Sequence, residues 1–167
     1  MTDARQIWDI SAPVHSATPV YPGDTPYRQR WDLRLQDDHP VNLSTVELSP
    51  HVGTHADAPL HYDAHGLAMG AVDLTTYLGP CRVIHAIDCA PLITWAHLAH
   101  AITPDLPPRV LVRTHAQHPT QWDDHFAGFA PDTIARLADC GVPPIGLDTP
   151  SVDSCHNHSL DRPAPVC

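Results

Sequence analysis

His51, His55, Asp57 and His61 fall within eleven residues of the run Ser49-Pro-His-Val-Gly-Thr-His-Ala-Asp-Ala-Pro-Leu-His61. Imidazoles and carboxylates are the side chains that ligate divalent metals and move protons near neutral pH. The four share sequence parity, so an extended chain projects them to one side. A helix does not unite them: at about 100° per residue Asp57 lies about 120° from His51, and Pro59 interrupts the pattern. A straight strand also fails, because four residues span about 13 Å, the extreme reach of two imidazoles to one ion. The chain must bend between His51 and His55, and Gly53 is the residue able to supply the bend.

Two neutral imidazoles and a carboxylate suit Zn²⁺, or Mn²⁺ where carboxylates and waters dominate, and leave positions open for water and substrate. The competing reading is a surface loop in a chain that holds fourteen His. Four competent side chains of one parity, with Gly at the bend and Pro50 and Pro59 on either side, favour the metal site.

The rest of the composition narrows the partners. The nine basic residues are all Arg, the nineteen acidic residues are all Asp except Glu47, and the formal net charge is -10. With no basic run, the electrostatic footprint of a nucleic-acid binder is missing, and a small-molecule substrate is expected. No apolar run approaches the roughly 18 residues of a membrane span. The segment Met1 to Ile10 carries Asp3, Arg5 and Asp9 and does not read as a signal peptide, so a cytoplasmic location is expected. The five cysteines are odd in number, lack a C-x-x-C pair and are expected as free thiols.

The 167 residues suffice for one mixed α/β domain. Strands are expected at 6–10, 31–35, 41–49, 81–88, 109–113 and 142–147. In the third of these neither face is cleanly apolar. Leu92 to Ile102 has the spacing of a short helix ended by Pro104. Residues 131–140 make the clearest helix, with Pro131 in its first turn, Asp132 where the dipole favours an anion and Gly141 at its end. Thr18-Pro-Val-Tyr-Pro-Gly-Asp-Thr-Pro26 must be a shaped loop that carries Tyr21.

The run His51-x-Gly-Thr-His55-x-Asp57-Ala-Pro-x-His61 resembles the signature of the metal-dependent cyclase family, and the chain is similar to the family's bacterial kynurenine formamidase branch. The likeness extends to Ile7-Trp-Asp-Ile-Ser11, the Tyr21 loop, Tyr77-Leu-Gly-Pro80 and Gly146-Leu-Asp-Thr-Pro-Ser-Val-Asp153. It implies a swivelling β/β/α-type domain, a homodimer, and a site of two metal ions, usually zinc, that hydrolyses N-formyl-L-kynurenine to L-kynurenine and formate in tryptophan degradation. By the same resemblance His51, His55 and Asp57 are metal ligands, with Asp57 bridging. His61 is the catalytic proton donor and acceptor. Tyr21 borders the substrate where the branch commonly has Trp.

The resemblance covers 6–153 and then breaks. The family places a further His some fifteen residues after Asp-Thr-Pro-Ser, then a Glu; the count from Asp148 falls on Pro163, and no Glu follows Glu47. The expectation is a cyclase-like metal-hydrolase domain over 1–153, a disordered non-family tail over 154–167, a truncated or frameshifted C-terminal part, and half of the two-metal site. Two other functions compete: hydrolysis of another cyclic or aryl amide, such as isatin, and a catalytically impaired fragment that only binds metal.

Overall fold

The structure is a computed structural model that describes residues 6–154. Its residues form two compact units that part between Ala56 and Asp57.

The first unit is built on an antiparallel pair, β1 (Arg28–Leu33) and β2 (Leu43–Glu47). The register pairs Arg28 with Glu47 and Trp31 with Ser44, and slips between Trp31 and Leu33. Side chains tie the pair across: Gln29 Nε2 donates to Ser44 Oγ at 3.0 Å, and Thr45 Oγ1 to Asp32 Oδ2 at 2.7 Å. The unclear facing of 41–49 has a physical basis here, since β2 is exposed along its length except for half-buried Ser44. Just beyond β2, Ser49 and Val52 are buried, and the Ser49 N–H donates to the Thr25 carbonyl at 3.1 Å. These contacts anchor the start of the His-rich run. The strand expected at 6–10 does not form; Ile7, Trp8 and Ile10 are largely exposed, and their alternation finds no ladder partner among the described residues.

The second unit holds the core. Three parallel strands, β3 (Arg82–His85), β5 (Val110–Arg113) and β7 (Ile145–Leu147), lie in the order β3-β5-β7. Alternation in β5 explains its placement: Val110 and Val112 are buried while Leu111 and Arg113 face out. A second parallel pair joins β4 (Leu92–Ile93) to β6 (Gly128–Phe129). The helix expected over Leu92 to Ile102 is therefore shorter. Leu92 and Ile93 are drawn into the ladder, Thr94 opens α1 (Trp95–Leu98), and a 3-10 turn follows over Ala99–Ala101. His97 has a structural job there, as its Nδ1 accepts from the Thr94 N–H at 3.1 Å.

The last helix, α2 (Pro131–Asp139), forms as its sequence dictates. Pro131 occupies the first turn, Thr133, Ile134 and Leu137 are buried, and the Gly141 N–H donates to the Ala138 carbonyl at 2.8 Å with Gly141 at φ +77°. Ile84, Ile93, Leu98, Val110, Val112, Phe129, Leu137 and Val142 close the core between these elements. Cys81, Cys89 and Cys140 are free thiols, with Cys89 buried. No helix among the described residues is long and apolar enough to cross a membrane. The tail expected at 154–167 lies outside the described residues apart from Ser154.

Asp148, just past β7, ties the ends of two strands together. Its Oδ1 accepts from the Thr114 N–H at 2.8 Å and Thr114 Oγ1 at 2.7 Å, and its Oδ2 from the His115 N–H at 3.1 Å. Burial alone would raise the carboxyl pKa, but these hydrogen bonds outweigh it and the pKa is lowered. A pKa lowered on folding contributes stability that is present above the unfolded value of about 4 and is lost as pH falls through the folded value. Asp148→Asn keeps the shape but turns an amide donor toward N–H groups. It should cost about 1–2 kcal/mol in urea unfolding at pH 7 and flatten the loss of stability below pH 4 or so. An unchanged unfolding midpoint would show that the clamp contributes nothing.

Candidate metal centre

The chain bends where the spacing demands it. Gly53 has φ +72°, a backbone conformation that favours glycine, and a Cβ there would also press on a Val14 methyl at 2.6 Å. Around this bend the His51 and His55 rings meet edge-on, with centroids 5.1 Å apart and planes at 83°. His55 Nδ1 lies 2.8 Å from the Gly53 carbonyl. A carbonyl only accepts, so Nδ1 carries the proton and the lone pair of the neutral ring falls to Nε2, the nitrogen then competent to ligate.

Past Ala56 the chain runs into a 3-10 turn over Pro59–His61. Proline fixes the entry of that turn, the His61 N–H donates to the Ala58 carbonyl at 2.8 Å, and the Tyr62 N–H to the Pro59 carbonyl at 3.1 Å. The loop after it folds back, and the Leu60 N–H donates to the Leu67 carbonyl at 3.1 Å. Gly66 allows this return, because a Cβ there would lie 2.5 Å from the Pro59 carbonyl carbon. His61 is thus held from below by backbone contacts while its side chain stays exposed.

His51 and His55 lie at the end of the first unit, and Asp57 and His61 at the start of the second. Eleven consecutive residues carry all four. The set of two imidazoles and one carboxylate matches the donor chemistry of zinc centres, so the residues present fit the metal that the motif implies. The ring of His55, an expected ligand, stands against that of His51. Tyr21 is half-exposed on the other loop of the first unit, in a turn closed by the Asp24 N–H donating to its carbonyl at 2.9 Å.

The sequence did not point to Tyr62. Its hydroxyl donates to Asp57 Oδ2 at 3.3 Å, and its ring meets the His61 ring edge-on at 4.5 Å. Burial of the phenol, then the Asp57 charge and the hydrogen bond to it, and lastly the charge of Asp153, push its pKa up to about 12. Tyr62 therefore keeps its proton and acts as a donor at neutral pH. The available signal was its place: a phenol directly after His61 and five residues beyond Asp57.

Comparison with known proteins identifies the family and the fold. The family model described as "Putative cyclase" matches residues 8–154. The kynurenine formamidase of Paracidovorax citrulli is 56% identical over 165 residues, covering 96% of this chain and 76% of that protein. The kynurenine formamidase of Bordetella pertussis is 57% identical over 158 residues, with 94% and 75% covered. Among solved structures, an isatin hydrolase bound to the product analogue thioisatinate superposes with a TM-score of 0.74 at 18% identity, covering 95% of this chain and 72% of its own. A "predicted metal-dependent hydrolase" from Bacillus stearothermophilus gives a TM-score of 0.70 at 24% identity, with 91% and 73% covered. These two likenesses carry the fold, a mixed α/β cyclase-like architecture. Taken with the His-rich run and its bend, the family match and the formamidase identities show that the chain belongs to the metal-dependent cyclase family, in its bacterial kynurenine formamidase branch.

Proposed function

We propose that the chain hydrolyses N-formyl-L-kynurenine to L-kynurenine and formate, using a divalent cation held by His51, His55 and Asp57 and a proton carried by His61. The observation that supports this most is the pairing of donors on either side of Ala56: the His51 and His55 rings meet edge-on at 5.1 Å, and Tyr62 touches both Asp57 and His61. It gains weight from a chain 56% identical to a kynurenine formamidase.

When bound, such a cation lowers the pKa of water toward 7 and polarises a carbonyl oxygen, which formamide hydrolysis at neutral pH requires. Asp57 contributes the negative charge that favours a dication over a neutral ligand set. His55, protonated at Nδ1 by its bond to Gly53, offers Nε2. His61 takes up the proton that the attacking water loses and returns it to the aryl nitrogen as the C–N bond breaks. Without that transfer the aniline would leave as an anion, at high cost. Tyr21 supplies an aromatic surface beside the substrate ring, and as a phenol it offers a hydroxyl where the branch commonly has an indole. Zinc suits the donor set best, with Mn²⁺ as the weaker alternative. A homodimer in the cytoplasm completes the reading.

Hydrolysis of N-formyl-L-kynurenine should be followed by product absorbance with the zinc-loaded chain, the chelated chain and the chain after zinc is restored. Turnover should vanish on chelation and return with metal, and isatin should be hydrolysed at least about tenfold less efficiently. Faster turnover of isatin would transfer the assignment to cyclic amides. Metal uptake with no turnover of either compound would overturn the enzymatic reading.

A further inference from the structure

Tyr62 touches two members of the candidate centre at once. Its hydroxyl donates to Asp57 Oδ2 at 3.3 Å, and its ring edge meets the His61 imidazole, with centroids 4.5 Å apart and planes at 75°. Its own position is set by the backbone, since its N–H closes the Pro59 turn at 3.1 Å. A carboxylate turns easily about its last bond, a broad torsion with little intrinsic preference. A donor fixed to one oxygen removes that freedom and sets the plane in which the other oxygen is presented. Hydrogen-bonding partners outside a metal's ligands act in this way in metal sites generally, and losing one typically costs about 10–100-fold in metal affinity or activity.

We propose that Tyr62 is a positioning residue: its hydroxyl fixes the orientation of the Asp57 carboxylate while its ring holds the His61 imidazole, so that ligand and proton carrier keep one geometry. The proposal rests on the reading of His51, Asp57 and His61 as a metal-supported site. It goes beyond that reading by giving a role to a side chain that neither ligates nor exchanges a proton with substrate.

Two replacements separate the hydroxyl from the ring. Tyr62→Phe keeps the edge contact with His61 and removes the donor to Asp57. Replacement of Tyr62 by 4-aminophenylalanine keeps an N–H donor at the same place. Co²⁺ and Zn²⁺ affinities of the full chain are measured by competition with a chromophoric chelator, and the visible spectrum of the Co²⁺ form reports the ligand field independently of turnover. Tyr62→Phe should bind each ion about tenfold or more weakly, with an altered Co²⁺ spectrum, and the amino variant should recover most of the affinity. Equal affinities in all three proteins would overturn the role of Tyr62 while leaving the metal site standing. Equal weakening in both variants would also overturn it, because the defect would then follow general packing and not the hydrogen bond. A wild-type chain that takes up neither ion would remove the site itself, a result read from the wild-type titration alone.

Discussion

Asp57→Asn should strip the purified chain of bound metal and reduce formylkynurenine hydrolysis by more than about 100-fold, the upper end of what losing a mere outer hydrogen-bond partner costs. The substitution is nearly isosteric, and the Asn carbonyl can still accept from Tyr62. What disappears is the negative charge. A dication beside two neutral imidazoles and a neutral amide loses its strongest electrostatic attraction, since even one charge pair at 4 Å amounts to about 4 kcal/mol at an effective dielectric constant near 20. Metal content by elemental analysis gives the first readout. Thermal unfolding gives the second. Ligand present at about 100 times its Kd stabilises the folded state by about 2.7 kcal/mol, so zinc should raise the melting temperature of the wild type and leave that of Asp57→Asn in place. A variant that still melts higher with zinc would place the essential ligands elsewhere.

His61→Ala should behave differently: metal content stays within about twofold of wild type, while hydrolysis falls by about 10²–10⁴, the range of a lost general acid or base. The backbone of the Pro59–His61 turn supplies its own hydrogen bonds, so alanine preserves it. The exposed imidazole suits a group that must exchange protons with water and substrate. An imidazole is also chemically able to ligate a metal. The two roles part cleanly in this variant. Retained metal with lost turnover, partly rescued by added imidazole, marks a proton carrier; parallel loss of metal and turnover marks a ligand and overturns the assignment made above.

The bend in the His-rich run was legible in the sequence. Parity and reach required a bend between His51 and His55, and Gly53 takes it with φ +72°. The helix at 131–140 was equally plain, because Pro131, Asp132 and Gly141 all call for the same element. A short β-branched run likewise marked β5. What escaped depends on pairing between distant segments. Two-residue β4 and β6 have too few positions for any period, and they exist only because Leu92 and Ile93 meet Gly128 and Phe129. Residues 6–10 show the reverse, a strand-like alternation without a ladder partner among the described residues. The roles of Tyr62 and Asp148 were hidden for a related reason: a hydrogen bond to a carboxylate five residues back, or to amides thirty-four and thirty-three residues back, leaves no mark on hydrophobic spacing.

The donor cluster itself lies within eleven successive residues, closed by a glycine bend and a proline turn. Drawing the ends of such a stretch together in an unfolded chain costs only about 2 kcal/mol of loop entropy. A cation can therefore be captured by the unfolded polypeptide almost as a chelating peptide captures it, without waiting for the parallel sheet. Every such encounter lowers the free energy of the unfolded state too, so metal contributes less to folding stability than its affinity for the folded chain would suggest. On the ribosome the same locality has a temporal meaning. The whole run through His61 is synthesised before the first residue of β3, Arg82, so the His-rich stretch exists seconds before the parallel sheet.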